Sequence, residues 1–190
     1  MATKNYTVAA SADDAMEAAT TVTLTDLSMN INTSTRYGGF SFDTSGSPIA
    51  EATSIASATL TITIANAWEA NHTWKGHKVT NSAQFAATTS NISNRYTGAA
   101  TTASVTDTGS SASGATRDID VTTIVQELVN QSGWSSSSRI TLMCKLAASI
   151  SGNFSIRTFD YGSGLATLAV TTSEGVNLKT VHYYTRMRTR

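Results

Sequence analysis

Apolar and hydroxyl-bearing residues take turns along much of this chain. Ala58, Leu60, Ile62 and Ile64 alternate with Thr59, Thr61, Thr63 and Ala65. Successive side chains of a strand point to opposite faces, so a period of two gives one apolar face and one threonine-lined face. That pairing of a dry face with a wet one belongs to an antiparallel sheet covering a core on one side. The theme recurs and predicts strands over residues 5–10, 20–27, 36–42, 56–67, 74–80, 101–105, 139–147, 154–159 and 165–172. Turn-forming clusters at residues 43–46, 151–153 and 162–164 punctuate them. Short strands at this spacing predict an all-β fold, an antiparallel β-sandwich of jelly-roll type. Gly38 and Gly39 interrupt one strand, which implies a bulge or a close approach of backbone.

One segment breaks the period of two. Ile124, Val125, Leu128 and Val129 fall at i, i+1, i+4 and i+5, one face of a short α-helix. Thr123 and Gln126 have the spacing of a capping box, with Asp120 as the alternative cap, and Gly133 follows the expected C-terminus. A helix this short persists only when packed against the sandwich. Residues 86–114, rich in Ser, Thr, Ala and Gly, read as a long surface connection holding one short strand.

Composition turns the picture from fold to role. A chain of 190 residues suffices for one large β-domain. Only 14% of residues are charged, while Ser and Thr make up roughly 30%. So sparse a charge protects a monomer weakly from association, which points to an assembled protein. The charge is also uneven. Residues 1–174 carry nine basic and thirteen acidic side chains, whereas 175–190 carry Lys179, Arg186, Arg188 and Arg190 and no acid. The chain therefore divides into a sandwich over 1–174 and a basic C-terminal arm over 175–190. Tyr183, Tyr184, Arg186, Arg188 and Arg190 are the expected partner contacts, because Tyr and Arg are frequent interface anchors. The opening residues lack the apolar stretch of a signal peptide, and no run approaches transmembrane length. The expectation is a chain assembled in the cytoplasm, without a signal peptide and without a membrane partner.

Several segments resemble a known family. Residues 36–42 followed by 49–62, the entry into the helix at 118–129 and the closing strand at 166–170 resemble, in that order, the DNRLRE-type jelly-roll domains. Those domains are similar to carbohydrate-binding modules, and the likeness covers roughly residues 5–173. Residues 12–17, 38–42, 91–97, 125–134 and 159–164 look like the form found in phage and virus-like structural proteins. The resemblance implies a virion part such as a capsid decoration (cement) protein of a tailed phage, with the major capsid protein or another shell protein as partner. It also leaves open a carbohydrate-binding module of a tail fibre or receptor-binding assembly.

Candidate chemistry is thin. Asp13, Asp14 and Glu17 offer hard oxygen ligands of the kind Ca²⁺ takes. Their spacing is not that of an EF-hand loop, so a solvated acidic loop or a helix N-cap is the plainer reading. His72, His77 and His182 form no recognised metal spacing with one another or with Cys144. Cys144 shares a face with Ile140, Leu142 and Leu146 and reads as a buried structural thiol. No nucleophile elbow, zinc-protease motif, phosphate loop or dinucleotide fingerprint occurs. Asp118 and Asp120 have the look of paired carboxylates but sit at the helix entry, where capping is their expected task. No catalytic, cofactor or metal-binding residue is assigned. Trp68 and Trp74 are the candidate glycan contacts, since aromatic faces stack on sugar rings. Trp134, just after the helix, is expected to anchor it. The leading expectation is a non-enzymatic virion structural protein, a homotrimer about a local symmetry axis, with nucleic acid a poor fit and a glycan the alternative ligand.

Overall fold

A computed structural model describes residues 1–66, 68–135, 138–147 and 155–173, with Trp68 and Ala70 described by backbone alone. Two antiparallel sheets stack face to face. The first runs β1 (Ala2–Thr7), β12 (Thr167–Thr172), β6 (Ile55–Asn66), β11 (Ser155–Arg157) and β4 (Ser28–Asn30), with β9 (Thr116–Asp120) also pairing β6. The second runs β3 (Thr21–Thr23), β2 (Asp14–Ala18), β5 (Arg36–Asp43), β10 (Arg139–Leu146), β7 (Trp68–His77) and β8 (Ala100–Ser111). The all-β sandwich is thus the fold, and the alternation in β6 faces as expected. Ala58, Leu60, Ile62 and Ile64 are buried against Phe40, Phe42, Trp74, Ile140, Leu142 and Cys144 of the opposite sheet.

Gly38 and Gly39 mark close approach rather than a bulge, because the register of β5 with β10 runs unbroken from Asp43 to Tyr37. A Cβ on Gly38 would stand 2.3 Å from Ile31 Cδ1 in the core. A Cβ on Gly39 would stand 2.5 Å from Phe85 Cζ on the outer face. Each glycine is therefore a socket for a large side chain, one on each side of the sheet.

The predicted helix is α2 (Thr122–Val129), and its four aliphatic residues are all fully buried. Each contributes about 1.5–3 kcal/mol of burial before entropy is subtracted. Ile124 and Leu128 press on Gly76 of β7, and the helix packs against β6 of one sheet and β7 and β8 of the other. The expected capping box does not form. Val121 is the N-cap residue, and Asp120 Oδ1 instead accepts the Thr122 N–H at 2.9 Å. Gln126 is spent elsewhere, accepting the Ile55 N–H at 2.7 Å and donating to Thr53 O at 3.0 Å. Trp134 donates its indole N–H to Ile49 O at 2.9 Å and so pins the loop after β5.

Several segments differ from expectation: the strand expected at 74–80 runs Trp68–His77, and β4 and β9 form where no strand is predicted. Residues 86–114 are not an open connection: they hold α1 (Asn91–Gly98) and the twelve-residue β8. The acidic stretch at 14–18 is neither loop nor helix cap but strand β2. Residues 20–27 form only the three-residue β3.

The long edge of the second sheet is blunted. Glu127 of α2 accepts the Thr102 and Ala103 N–H groups at 3.0 and 2.8 Å. Arg117 of β9 donates to Thr108 O at 2.9 Å and pairs with Asp107. These groups occupy backbone positions that an incoming strand would need.

Candidate functional site

The outer faces of the two sheets have opposite fates. On the second sheet, outward residues Ala15, Tyr37 and Met143 join Val22, Phe85 and Ile92 in a second apolar cluster. The cover is α1 together with residues 81–90. Glu17 Oε2 accepts the Ile92 and Ser93 N–H groups at 2.8 and 2.9 Å, so a fully buried carboxylate of β2 holds the N-terminus of α1. Tyr96 OH reaches Thr73 O at 3.2 Å, and Arg95 lies over the Phe85 ring at 5.0 Å.

Beneath that cover runs a chain of polar contacts. His77 Nδ1 is 2.8 Å from Ser82 Oγ, Ser82 Oγ is 2.9 Å from Thr141 Oγ1, and Thr141 Oγ1 is 2.9 Å from Ser41 Oγ. Arg139 donates to Ser41 Oγ at 3.0 Å and pairs with Asp13, which also accepts from Gln84 Nε2 at 2.8 Å. The His77–Ser82 pair has the separation of a base and a nucleophile. Ser82 is only 1% exposed, however, and shares its hydroxyl with Thr141. Burial pushes His77 down to about 4. This arrangement locks the cover to the sheet and offers a substrate no way in.

The first sheet is bare over much of its breadth, although Thr63 of β6 lies under Gly164 and Ser155 of β11 is buried. Across β1, β12, β6 and β9 the outward residues form rows: Thr3, Thr171 and Ser57; Asn5, Ala169, Thr59 and Asp120; Thr7, Thr167, Thr61 and Asp118. Neighbouring rows are about 7 Å apart along a strand and neighbouring strands about 4.8 Å apart. Inward alternation takes Lys4 and Arg117 off this face, so Asp118 and Asp120 are the charged groups in those rows. Thr61 Oγ1 donates to Asp118 Oδ1 at 2.6 Å, and Thr3 and Thr171 hydroxyls meet at 2.9 Å. Asp118 and Asp120 thus serve the sheet and the helix entry.

The other sequence candidates are dispersed. Trp74 is fully buried, stacked on Phe40 at 6.3 Å between ring centroids, so it is a core residue and presents no face to a glycan. The Trp68 side chain lies outside the described residues. So does the whole basic arm, with Tyr183, Tyr184, Arg186, Arg188 and Arg190. His72 is buried, its Nε2 2.8 Å from Ile31 O, and burial pushes it down to about 4. The Cys144 thiol is buried and held well above its usual range by desolvation. A shallow open groove of about 490 Å³ runs beside α2, lined by Gln126, Glu127, Asn130, Gln131 and Lys78 among others. Its carboxylate is already committed to the β8 backbone and to Lys78 at 2.8 Å.

Asp13, Asp14 and Glu17 do not converge. Asp13 serves Arg139, Glu17 serves α1, and Asp14 turns into the sandwich. Among the described residues no group of three or more His, Cys, Asp or Glu side chains is placed to hold a metal ion. None of the described helices is long and apolar enough to cross a membrane. Sequence reasoning missed two polar residues of note, Ser82 and Asp160, which join partners far away in the chain and carry no local signal. No protein-family model matches the chain, and no curated protein matches it.

Proposed function

We propose that this chain is a non-enzymatic virion structural protein, a decoration protein that binds and reinforces the shell of a tailed phage. The observation that carries the reading is the bare hydroxyl-lined face of β1, β12, β6 and β9, opposite a face that the chain seals with its own helix. A face with little charge has little to desolvate and can exchange water for peptide groups of a partner. The partner is a shell protein, with the basic arm at 175–190 as a second point of attachment and a homotrimer as the assembled form.

The test is binding to purified shells that lack this chain. Thr59→Lys combined with Thr61→Lys should abolish attachment while the melting curve stays unchanged, and deletion of 175–190 should weaken it. Full binding by both variants would contradict the reading. Binding to polysaccharide and not to shells would favour the tail-fibre alternative, which now rests on Trp68 and on the groove beside α2.

A further inference from the structure

Two turns distant in the chain meet at one corner of the sandwich. The 3₁₀ turn Ser11–Asp13 leads into β2, and the 3₁₀ turn Phe159–Tyr161 follows β11; the two pack together. Two carboxylates come with them. Asp14 is fully buried, and its Oδ2 accepts the Phe159 N–H at 2.6 Å. Asp160 Oδ1 accepts the Ser11 hydroxyl at 3.0 Å. The other oxygen of each, Asp14 Oδ1 and Asp160 Oδ2, is buried with no partner.

Orphaned carboxylate oxygens are uncommon in a native interior; Glu17 Oε1 is a third, isolated beneath α1, whereas Asp14 and Asp160 bring two to one corner. Nearby basic groups do not serve. Arg139 is taken by Asp13, Asp43 and Ser41. Arg157 lies over the Tyr161 ring at 4.3 Å and donates to Ser163 at 3.4 Å; its Nε is buried without a partner and it forms an ion pair with neither Asp14 nor Asp160. Asp13 has both oxygens spent, on Arg139, on Gln84 and on the Ala9 N–H. Two buried carboxylate oxygens side by side, with no cation paired to either, repel one another. Burial first, with Asp160 and Asp13 adding to it, pushes Asp14 up to about 7.

We propose that this corner is a site for a hard divalent cation, with calcium as the best fit, held between Asp14 Oδ1 and Asp160 Oδ2. Both orphaned atoms are carboxylate oxygens, hard ligands that calcium takes and that softer metals do not prefer. Ser11 and Asp160 are half-buried and Tyr161 is exposed, so the ion enters from solvent beside the turns. Two carboxylates rather than three place the site in the weak class, with Kd on the order of 10⁻⁴–10⁻³ M, the remaining positions falling to water. The bound ion clips the entry of β2 to the exit of β11.

Thermal melting of the full chain tests this, first in chelator and then in about 10 mM CaCl₂ against NaCl of equal ionic strength. Calcium should raise the midpoint by about 3–6 °C. Asp160→Asn should melt cooperatively and lose that rise. An unchanged parent midpoint, or an undiminished rise in Asp160→Asn, overturns the proposal. Should the variant fail to fold, Tb³⁺ luminescence of the parent decides. Tyr161 beside the site should sensitise the ion and Ca²⁺ should displace it; the absence of a signal that Ca²⁺ competes away overturns the proposal.

Discussion

The two sheets of this sandwich share one backbone rule and differ in what they show the outside. Outward positions of β6 include Ser57, Thr59 and Thr61, whose hydroxyls are content in water, while Thr63 beyond them is covered by Gly164. Outward positions of β5 and β10 include Tyr37 and Met143, which are not content in water, beside Ser41 and Thr141, whose hydroxyls form a hydrogen-bonded chain with Ser82 of the cover. The chain answers the second set with α1 and residues 81–90, and leaves the first set open. What decides whether a sheet needs a lid is thus the identity of every second residue, and the same residues decide which face is free to meet a partner.

The comparison is broken most severely by exchanging the characters of the two faces. Met143→Asp places a charge under the lid and should cost about 3–5 kcal/mol, read as a lower urea midpoint. Thr61→Lys, at the matching outward position of the bare sheet, should stay within about 0.5 kcal/mol of the parent. Equal costs at the two sites would show that the bare face is covered after all.

A smaller loss is expected at the hinge of the lid. Glu17→Ala removes the acceptor for two helix N–H groups and should cost about 2–3 kcal/mol. Hydrogen exchange should localise the effect, with faster exchange in α1 and unchanged exchange in β6. Uniform acceleration in both sheets would mean that the lid and the sandwich open as one unit.

The mildest probe is acid. His77 is neutral in the fold and takes a proton only near pH 4, whereas an unfolded imidazole does so below about 6.5. Its contribution is complete above about pH 6.5 and is lost as pH falls toward 4. Asp14, raised to about 7, runs the other way over that window, gaining as pH falls. The His77 effect is therefore read as the difference between the parent and His77→Gln, which should narrow as pH drops from 6.5 to 4. A difference that is flat with pH would remove His77 from the locking of the lid.

Much of the sandwich was legible beforehand. β5, β6, β10 and β12 announce themselves because one of their faces enters an uninterrupted core, and α2 because its four aliphatics share one stripe. The misses have physical causes. β2 hid because Asp14 and Glu17 are charged yet buried, each satisfying backbone N–H groups brought from far along the chain. α1 hid because only Ile92 of its eight residues is fully buried, so it has almost no apolar period. β8 was read too short because it is an edge strand, where Ser and Thr suffice on the wet side. The capping box failed because Gln126 was claimed by the start of β6. Trp74 looked like a platform only because a sequence does not show which side of a strand is dry. The threonine rows were visible in β6 alone, and their extension over four strands needed the register with β12, β1 and β9. Asp160 was beyond reach, since its meeting with Asp14 joins opposite ends of the domain.

The blunted edge of β8 bears on how such a molecule behaves in a crowd. At high local concentration an open strand edge would recruit the next copy and then the next. With Glu127 on the amides of Thr102 and Ala103, and Arg117 on the carbonyl of Thr108, that route to a fibre is obstructed at both ends of the strand. A crowded solution of the chain therefore meets a guarded edge rather than a template.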